Sequence, residues 1–109
     1  MPIKTIDAKT LRHWLDKGEA VLVDVREPAE YAQEHIPGAT LVPLAGVCMR
    51  TLPGSAGKKL VIHCKAGMRG RTACERLLTE SPGLEVYNLE GGISVWVQAG
   101  YAVNSKTPP

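Results

Sequence analysis

Three short apolar runs punctuate this chain, and each has the length and composition of a strand. They span residues 20–25, 60–63 and 84–89. The runs are rich in Val, Ile and Leu, which is typical of parallel strands that are covered on both faces. A shorter strand is predicted over residues 40–42.

Segments with helical periodicity separate these runs. Asp7 is suited to cap the first of them, and Pro28 is suited to the first turn of the second. Helices are predicted, in chain order, over residues 8–17, 28–34, 44–52, 70–80 and 93–97. Strands that alternate with helices in this way predict an α/β fold with a small, mostly parallel central sheet.

The composition is that of one globular domain. A chain of 109 residues with 44% hydrophobic residues is too short for a two-domain enzyme and too apolar for a disordered segment. We assign residues 1–103 to the domain and the polar residues 104–109, which end in Pro-Pro, to a flexible tail or linker.

The charge and hydropathy predict neither a nucleic-acid partner nor a membrane segment. The net charge of +2 is too small to indicate nucleic-acid binding. No apolar stretch reaches the roughly 20 residues that span a bilayer, and the first residues do not form an export signal. We therefore expect a cytoplasmic protein.

Three cysteines without a close pair argue against a disulfide framework and against a metal site. Cys74 shares a predicted helical face with Leu77 and is expected to pack in the core. Cys48 is a candidate to resolve an oxidised or persulfidated Cys64. By position alone, a single cysteine after a strand is more often a packing residue than a nucleophile.

The loop around Cys64 changes that balance. Cys64 directly follows a predicted strand, at the sheet edge where open parallel sheets bind ligands. Gly67 permits a positive φ, so successive N–H groups can converge on one point as an anion site. Lys65, Arg69 and the positive end of the next helix favour the thiolate. We predict Cys64 as the nucleophile and the substrate-binding residues as Lys65, Ala66, Gly67, Met68, Arg69 and Gly70.

Asp24 and Arg26 are predicted to support this loop. Asp24 ends a strand at the same sheet edge as Cys64. Two roles are open for it: to orient Arg69, whose side chain we expect to point into the site, or to serve locally as a cap or as an ion-pair partner of Arg26. His63 is not expected to act as a base for Cys64, because adjacent residues of a strand point to opposite faces.

Several segments in this order resemble the rhodanese-type sulfurtransferases, especially their single-domain members. They are residues 24–27 (Asp-Val-Arg-Glu), Glu30-Tyr31, 35–39 (His-Ile-Pro-Gly-Ala), 63–69 (His-Cys-Lys-Ala-Gly-Met-Arg), and 90–93 (Glu-Gly-Gly-Ile) with Trp96. The resemblance implies a rhodanese-like three-layer fold, with helices on both faces of the sheet.

The resemblance also implies a reaction. Cys64 takes the outer sulfur of thiosulfate or of a persulfide donor and holds it as a persulfide, without a cofactor. A thiophilic acceptor then removes it: cyanide, a thiol, or a thioredoxin-like or other sulfur-carrier protein. Family members often have Arg where this chain has Lys65, and Lys lacks the planar fork that grips an oxyanion, so weaker thiosulfate binding is expected.

Three other functions remain open at this stage. A sulfur carrier or redox relay would keep Cys64, whereas a non-catalytic rhodanese-like interaction module would dispense with it. A cysteine phosphatase or arsenate reductase also uses a thiolate in an anion-binding loop. The four residues between Cys64 and Arg69 make a tighter loop than a phosphatase uses, which favours sulfur over a phosphoryl group.

Overall fold

A five-stranded sheet in which every strand pair is parallel forms the centre of the computed structural model, which describes residues 3–55 and 57–105. The strands of this sheet are β1 (Lys4–Ile6), β2 (Ala20–Asp24), β4 (Thr40–Leu41), β5 (Lys59–His63) and β6 (Val86–Leu89). A smaller sheet pairs β3 (Glu34–His35) with β7 (Asn104–Ser105) in antiparallel fashion. The helices are α1 (Ala8–Asp16), α2 (Pro28–Gln33), α3 (Met68–Glu80) and α4 (Gly92–Gln98).

The order of the strands brings two polar strand ends together. The sheet runs β1-β6-β5-β2-β4, so β5 and β2 are central neighbours. Their register pairs Ala20 with Lys59 at one end and Asp24 with His63 at the other. Cys64, which follows β5, therefore lies beside the carboxyl end of β2. This is the sheet edge at which the sequence predicted the site.

Helices cover both faces of the sheet, which confirms the three-layer α/β prediction. Alternate strand residues point to opposite faces, so Ile62 packs with α3 and its neighbour Val61 packs with α1 and α4. The α3 layer contains Ala73, Cys74, Leu77, Val23, Leu60 and Val86, whereas the other layer contains Leu11, Leu22, Leu89, Ile93 and Trp96. Both faces of the central strands are thus apolar, which explains their continuous hydrophobic runs.

The structure differs from the sequence prediction at several element boundaries. The sequence pattern did not predict β1, because three residues at the edge of a sheet carry too short a pattern. The segment predicted as a helix over residues 44–52 forms two short 3₁₀ turns, Leu44–Gly46 and Met49–Thr51. Helix α3 begins at Met68 rather than at Gly70, so Gly70 lies inside the helix instead of in the loop.

The predicted tail begins with two ordered residues. Asn104 and Ser105 pair with His35 and Glu34, which places them in the small sheet. Backbone hydrogen bonding between distant segments decides this pairing, and a two-residue strand leaves no periodic signal. Residues 106–109 lie outside the described part of the chain.

Among residues 3–55 and 57–105, no helix is long and apolar enough to cross a membrane.

We expect Leu77→Ala to lower the free energy of unfolding by ~2–5 kcal/mol, because Leu77 is fully buried between α3 and the sheet. Val97→Ala provides the comparison, since Val97 is 43% exposed and its truncation should change stability by less than ~0.5 kcal/mol. Urea denaturation followed by circular dichroism measures both. Equal losses in the two variants would contradict the described core.

Candidate active site

The loop from Cys64 to Gly67 joins the end of β5 to the start of α3. Cys64 is 1% exposed, and Gly67 is the residue that precedes the helix. The φ of Gly67 is 114°, a conformation that side chains strongly disfavour, so the predicted need for glycine at this position is confirmed. This turn leads the chain from the loop into α3.

The sulfur of Cys64 accepts a hydrogen bond from the backbone of its own loop. The N–H of Gly67 donates to Sγ at 3.0 Å. The N–H groups of Lys65 and Ala66 have no hydrogen-bond acceptor in the described part of the chain. The first N–H groups of α3 also lack intrahelical partners, since every helix leaves its first donors unsatisfied. The loop therefore offers several donors to a negative sulfur or to an oxyanion beside it.

The first turn of α4 holds the other side of the loop. Ile93 N–H donates to the Cys64 carbonyl at 2.9 Å, and Ser94 N–H donates to the Lys65 carbonyl at 3.1 Å. Gly92 lies so close to these carbonyls that a Cβ at this position would overlap them. Because the C=O and N–H of a trans peptide point in opposite directions, these bonds turn the following N–H groups away from α4.

Asn88 of β6 binds the end of the loop by a side-chain hydrogen bond. Its Nδ2 donates to the Gly67 carbonyl at 3.1 Å. Gly70 packs against the same side chain, and a Cβ on Gly70 would collide with Asn88 Oδ1. Gly70, predicted as a loop ligand, is therefore a buried contact residue in the first turn of α3.

A buried ion pair lies beneath the loop. Arg26 binds the Asp24 carboxylate through Nε and Nη2, with distances of 2.8–3.1 Å. The same guanidinium donates to the Glu34 carbonyl at 2.7 Å. Asp24 is fully buried and Arg26 is 3% exposed, so the charge of each side chain is compensated by the other. Of the roles left open for Asp24, the structure selects the ion pair with Arg26.

His63 lies between this ion pair and the backbone of Cys64. Its Nδ1 lies 3.1 Å from the Cys64 carbonyl, and its Nε2 lies 3.5 Å from Asp24 Oδ2. Burial lowers the pKa of His63, which keeps the ring neutral at neutral pH. The ring contacts the Cys64 backbone and not its sulfur, in agreement with the expectation that His63 is not a base for Cys64.

The guanidinium of Arg69 forms an ion pair with Glu30. Its guanidinium makes two hydrogen bonds with the Glu30 carboxylate, at 2.7 and 2.9 Å. The Arg69 hydrogen bond lowers the pKa of Glu30 to about 2 and raises the pKa of Arg69. Arg69 is thus held by Glu30 of α2 and not by Asp24, its predicted partner.

Lys65 and Met68 occupy the outside of the loop. Lys65 is exposed and forms no salt bridge with any described residue. Met68 is 76% exposed. Ala66 is exposed as well. The candidate site therefore consists of a buried cysteine, the backbone N–H groups of its loop and Lys65, a cation without an ion-pair partner among the described residues.

Sequence reasoning missed two supporting roles. Asn88 is a polar residue that interrupts the apolar run of a buried strand. This interruption was the signal in the sequence that could have predicted its bond to the loop. Glu30 stood in the quoted motif, but its bond to Arg69 joins residues 39 positions apart and has no local signal.

The other two cysteines lie in different environments. Cys74 is fully buried, as predicted, and burial raises the pKa of its thiol to about 12. Cys48 lies at the start of the second 3₁₀ turn, where hydrogen bonds from Thr51 lower the pKa of its thiol. All three cysteines are free.

No three His, Cys, Asp or Glu side chains in the described ranges are grouped in a way that would hold a metal ion.

Comparison with known protein families matches residues 7–99 to the rhodanese-like domain. The chain belongs to this family. The match covers every element from α1 to α4, and it includes the cysteine loop and the ion pairs described above. The family resemblance inferred from the sequence motifs is therefore confirmed.

Two proteins named sulfurtransferases and one uncharacterized protein are similar to this chain over most of its length. A sulfurtransferase of Allochromatium vinosum is 35% identical, with 93% of this chain and 94% of the relative covered. The thiosulfate sulfurtransferase GlpE of Pseudoalteromonas translucida is 30% identical, with coverage of 94% and 95%. The protein slr1261 of Synechocystis is 39% identical over 96% of this chain, which spans only 59% of that relative. These matches support sulfur transfer as the general class of reaction.

The fold of the rhodanese-like domain also matches solved structures. The thiosulfate sulfurtransferase from Pseudomonas aeruginosa superposes with a TM-score of 0.79 at 30% identity. The match covers 95% of this chain and 20% of that larger chain.

We expect Gly70→Ala to displace Asn88 and so loosen the loop at Gly67. An added methyl group in this packed position should cost ~1–3 kcal/mol of stability. Gly83→Ala is the matched control, because a Cβ on Gly83 meets no atom within 4 Å. Thermal unfolding of both variants tests the contact, and equal midpoints would contradict it.

We expect Glu30→Gln to destabilise the protein in a pH-dependent manner. The pKa of Glu30 is lowered from 4.5 to about 2, so its ion pair stabilises the folded state fully above pH 4.5. This stabilisation is lost as the pH falls toward 2. The stability difference between wild type and variant should be constant near neutral pH and shrink below pH 4.5, as measured by urea denaturation at each pH.

Glu19→Gln controls for the general effect of removing one acidic group, because the exposed Glu19 forms no salt bridge with a described residue. A Glu30→Gln difference that stays unchanged down to pH 3 would refute the assignment.

Proposed function

We propose that this rhodanese-like domain transfers a sulfane sulfur from thiosulfate, or from a persulfide donor, to a thiophilic acceptor through a persulfide on Cys64. The observation that carries the proposal is the hydrogen bond from Gly67 N–H to Cys64 Sγ at 3.0 Å. That bond, with the neighbouring unpaired N–H groups, favours negative charge on the sulfur.

The first half of the reaction loads the cysteine. The Cys64 thiolate attacks the outer sulfur of thiosulfate and forms a new S–S bond. The original S–S bond of thiosulfate breaks, and its electron pair leaves with sulfite. The negative charge remains on the outer sulfur of the persulfide. The N–H groups of Lys65 and Ala66 have no acceptor among the described residues and are free to donate to it.

The charges around the loop bear on the strength of donor binding. The ammonium group of Lys65 is the uncompensated charge beside the sulfur, whereas Arg69 is neutralised by Glu30. An oxyanion therefore relies on Lys65 and on backbone donors. Lys binds as a point charge without a planar fork, which supports the expectation of weak thiosulfate binding.

The second half unloads the cysteine. An acceptor such as cyanide or a thiol attacks the outer sulfur, and Cys64 leaves as a thiolate. The same backbone donors stabilise this leaving group, so no separate general base is required.

A phosphatase or arsenate reductase function has less support. Phosphoryl transfer needs a positive group on the equatorial oxygens of the phosphoryl group. The guanidinium of Arg69, which closes the loop, is instead engaged by both oxygens of Glu30.

Intact mass spectrometry tests the proposal. The reduced protein, incubated with thiosulfate and freed of excess reagent, should gain one sulfur, about 32 Da, and should lose it on addition of cyanide. Cys64→Ser should abolish the gain. Cys48→Ser is the matched control and should retain it, since Cys48 lies in a separate 3₁₀ turn. Persulfide on Cys48, or no gain from thiosulfate or from a small organic persulfide, would overturn the proposal.

A further inference from the structure

His63 is a fully buried polar side chain that takes no part in the reaction steps described so far. It ends β5, and the three residues before it, 60–62, are buried and aliphatic. Burial of an imidazole costs free energy unless its nitrogens find hydrogen-bond partners. The reason for a histidine at this position therefore lies in what its two nitrogens contact.

The two ring nitrogens of His63 face different acceptors. Nδ1 lies 3.1 Å from the carbonyl oxygen of Cys64, whereas Nε2 lies 3.5 Å from Asp24 Oδ2. A neutral imidazole carries one N–H, and a carbonyl oxygen can only accept. The shorter distance therefore assigns the N–H to Nδ1, which donates to the Cys64 carbonyl.

This tautomer leaves Nε2 without a hydrogen-bond partner in the described part of the chain. A second proton on the ring is not needed to compensate Asp24, because both carboxylate oxygens already accept from Arg26. An unsatisfied buried nitrogen lowers stability. His63 is therefore not the residue that stability alone would favour at the end of β5.

The Cys64 carbonyl is held by two donors from different elements. Ile93 N–H of α4 donates to it at 2.9 Å, and His63 Nδ1 of β5 donates to it at 3.1 Å. A backbone carbonyl has two lone pairs, so it accepts both hydrogen bonds at once. Two donors fix the orientation of the peptide group between Cys64 and Lys65 more firmly than one donor would.

The orientation of this peptide group determines where the N–H of Lys65 points. The carbonyl of Cys64 and the N–H of Lys65 belong to one planar unit and point in opposite directions. The N–H is therefore directed away from His63 and α4, and it has no acceptor among the described residues. Hydrogen bonds to the carbonyl also polarise the peptide group and strengthen its N–H as a donor.

We propose that His63 is a positioning residue for sulfur transfer: its Nδ1–H holds the Cys64 carbonyl so that the N–H of Lys65 donates to the negative sulfur on Cys64. The inference rests on the proposed function, because that sulfur is the thiolate or the persulfide of the proposed reaction. His63 exchanges no proton with Cys64 and acts only through the peptide group. The unsatisfied Nε2 is the loss of stability that accompanies this arrangement.

The tautomer of His63 tests the first step in the wild-type protein. NMR spectroscopy of the imidazole nitrogens, assigned through the backbone of residues 62–64, distinguishes a protonated ring nitrogen from a bare one. At neutral pH, Nδ1 should give the signal of a protonated nitrogen and Nε2 that of a bare nitrogen. A ring protonated at Nε2, or at both nitrogens, would overturn the proposal.

Two substitutions separate the Nδ1–H from the rest of the ring. The amide nitrogen of Asn is bonded to Cγ as Nδ1 is, so His63→Asn keeps a donor there, whereas His63→Leu removes it. The readout is the rate of alkylation of Cys64 by iodoacetamide at neutral pH, followed by intact mass in a Cys48→Ser background. His63→Leu should lower this rate about threefold to tenfold, the effect of one hydrogen bond, and His63→Asn should restore it to within about twofold of the parent.

Thermal unfolding of the same variants separates this role from a general structural one. Leu fills the buried site without an unsatisfied nitrogen, so His63→Leu should be more stable than His63→Asn although its Cys64 reacts more slowly. Ile62→Val is the matched control, because it removes a buried methyl group from the same strand and should leave the alkylation rate unchanged. An unchanged rate in His63→Leu, or a slower rate in His63→Asn than in His63→Leu, would overturn the proposal.

Failure of the proposed function gives a different result, because alkylation requires no sulfur donor. Absence of the mass gain from thiosulfate or a small organic persulfide in wild type would overturn the function itself. Where the gain occurs, His63→Leu should slow the loading of Cys64 by about the same factor as the alkylation, and His63→Asn should restore it. Loading of His63→Leu at the wild-type rate would overturn the positioning role.

Discussion

The hydrogen bonds between α4 and the carbonyl groups of Cys64 and Lys65 are the constraint on which the candidate site depends. Ile93 and Ser94 bind these carbonyls, and Gly92 allows the close approach. A trans peptide must then present its N–H groups on the opposite side. Gly67 has a positive φ at the end of the loop, and its N–H donates to Sγ. A segment nearly thirty residues downstream therefore shapes the environment of Cys64.

Charge around the loop is divided between compensated and free groups. The pair of Asp24 and Arg26 is buried and supports the fold, because it links the end of β2 to the backbone of Glu34 in β3. Arg69 is compensated by Glu30, so Lys65 remains the free cation of the loop. The loop therefore combines backbone N–H donors with one basic side chain that has no ion-pair partner among the described residues.

Much of the fold followed from local patterns. The three central strands are buried on both faces, so each one needs a continuous apolar run that is visible in the sequence. The short strands at the margins were harder to predict: β1 and β7 contain three and two residues and exist through pairing with distant segments. The same limit applies to the site. Cys64 and Gly67 could be found from their neighbours, whereas Asn88 and Glu30 contribute through contacts across the fold.

The sequence by itself determined the chemistry available to this protein: a cysteine after a buried strand, a glycine that can reverse the loop, basic residues beside it, and the motifs of the rhodanese-like family. These are properties of residue type and local spacing. The tertiary structure decided which charges are neutralised, because Arg69 meets Glu30 and Asp24 meets Arg26 only after the chain has folded. It also decided that α4 orients the loop. Only the folded chain brings the N–H groups of α4 within hydrogen-bond distance, about 3 Å, of the loop carbonyls.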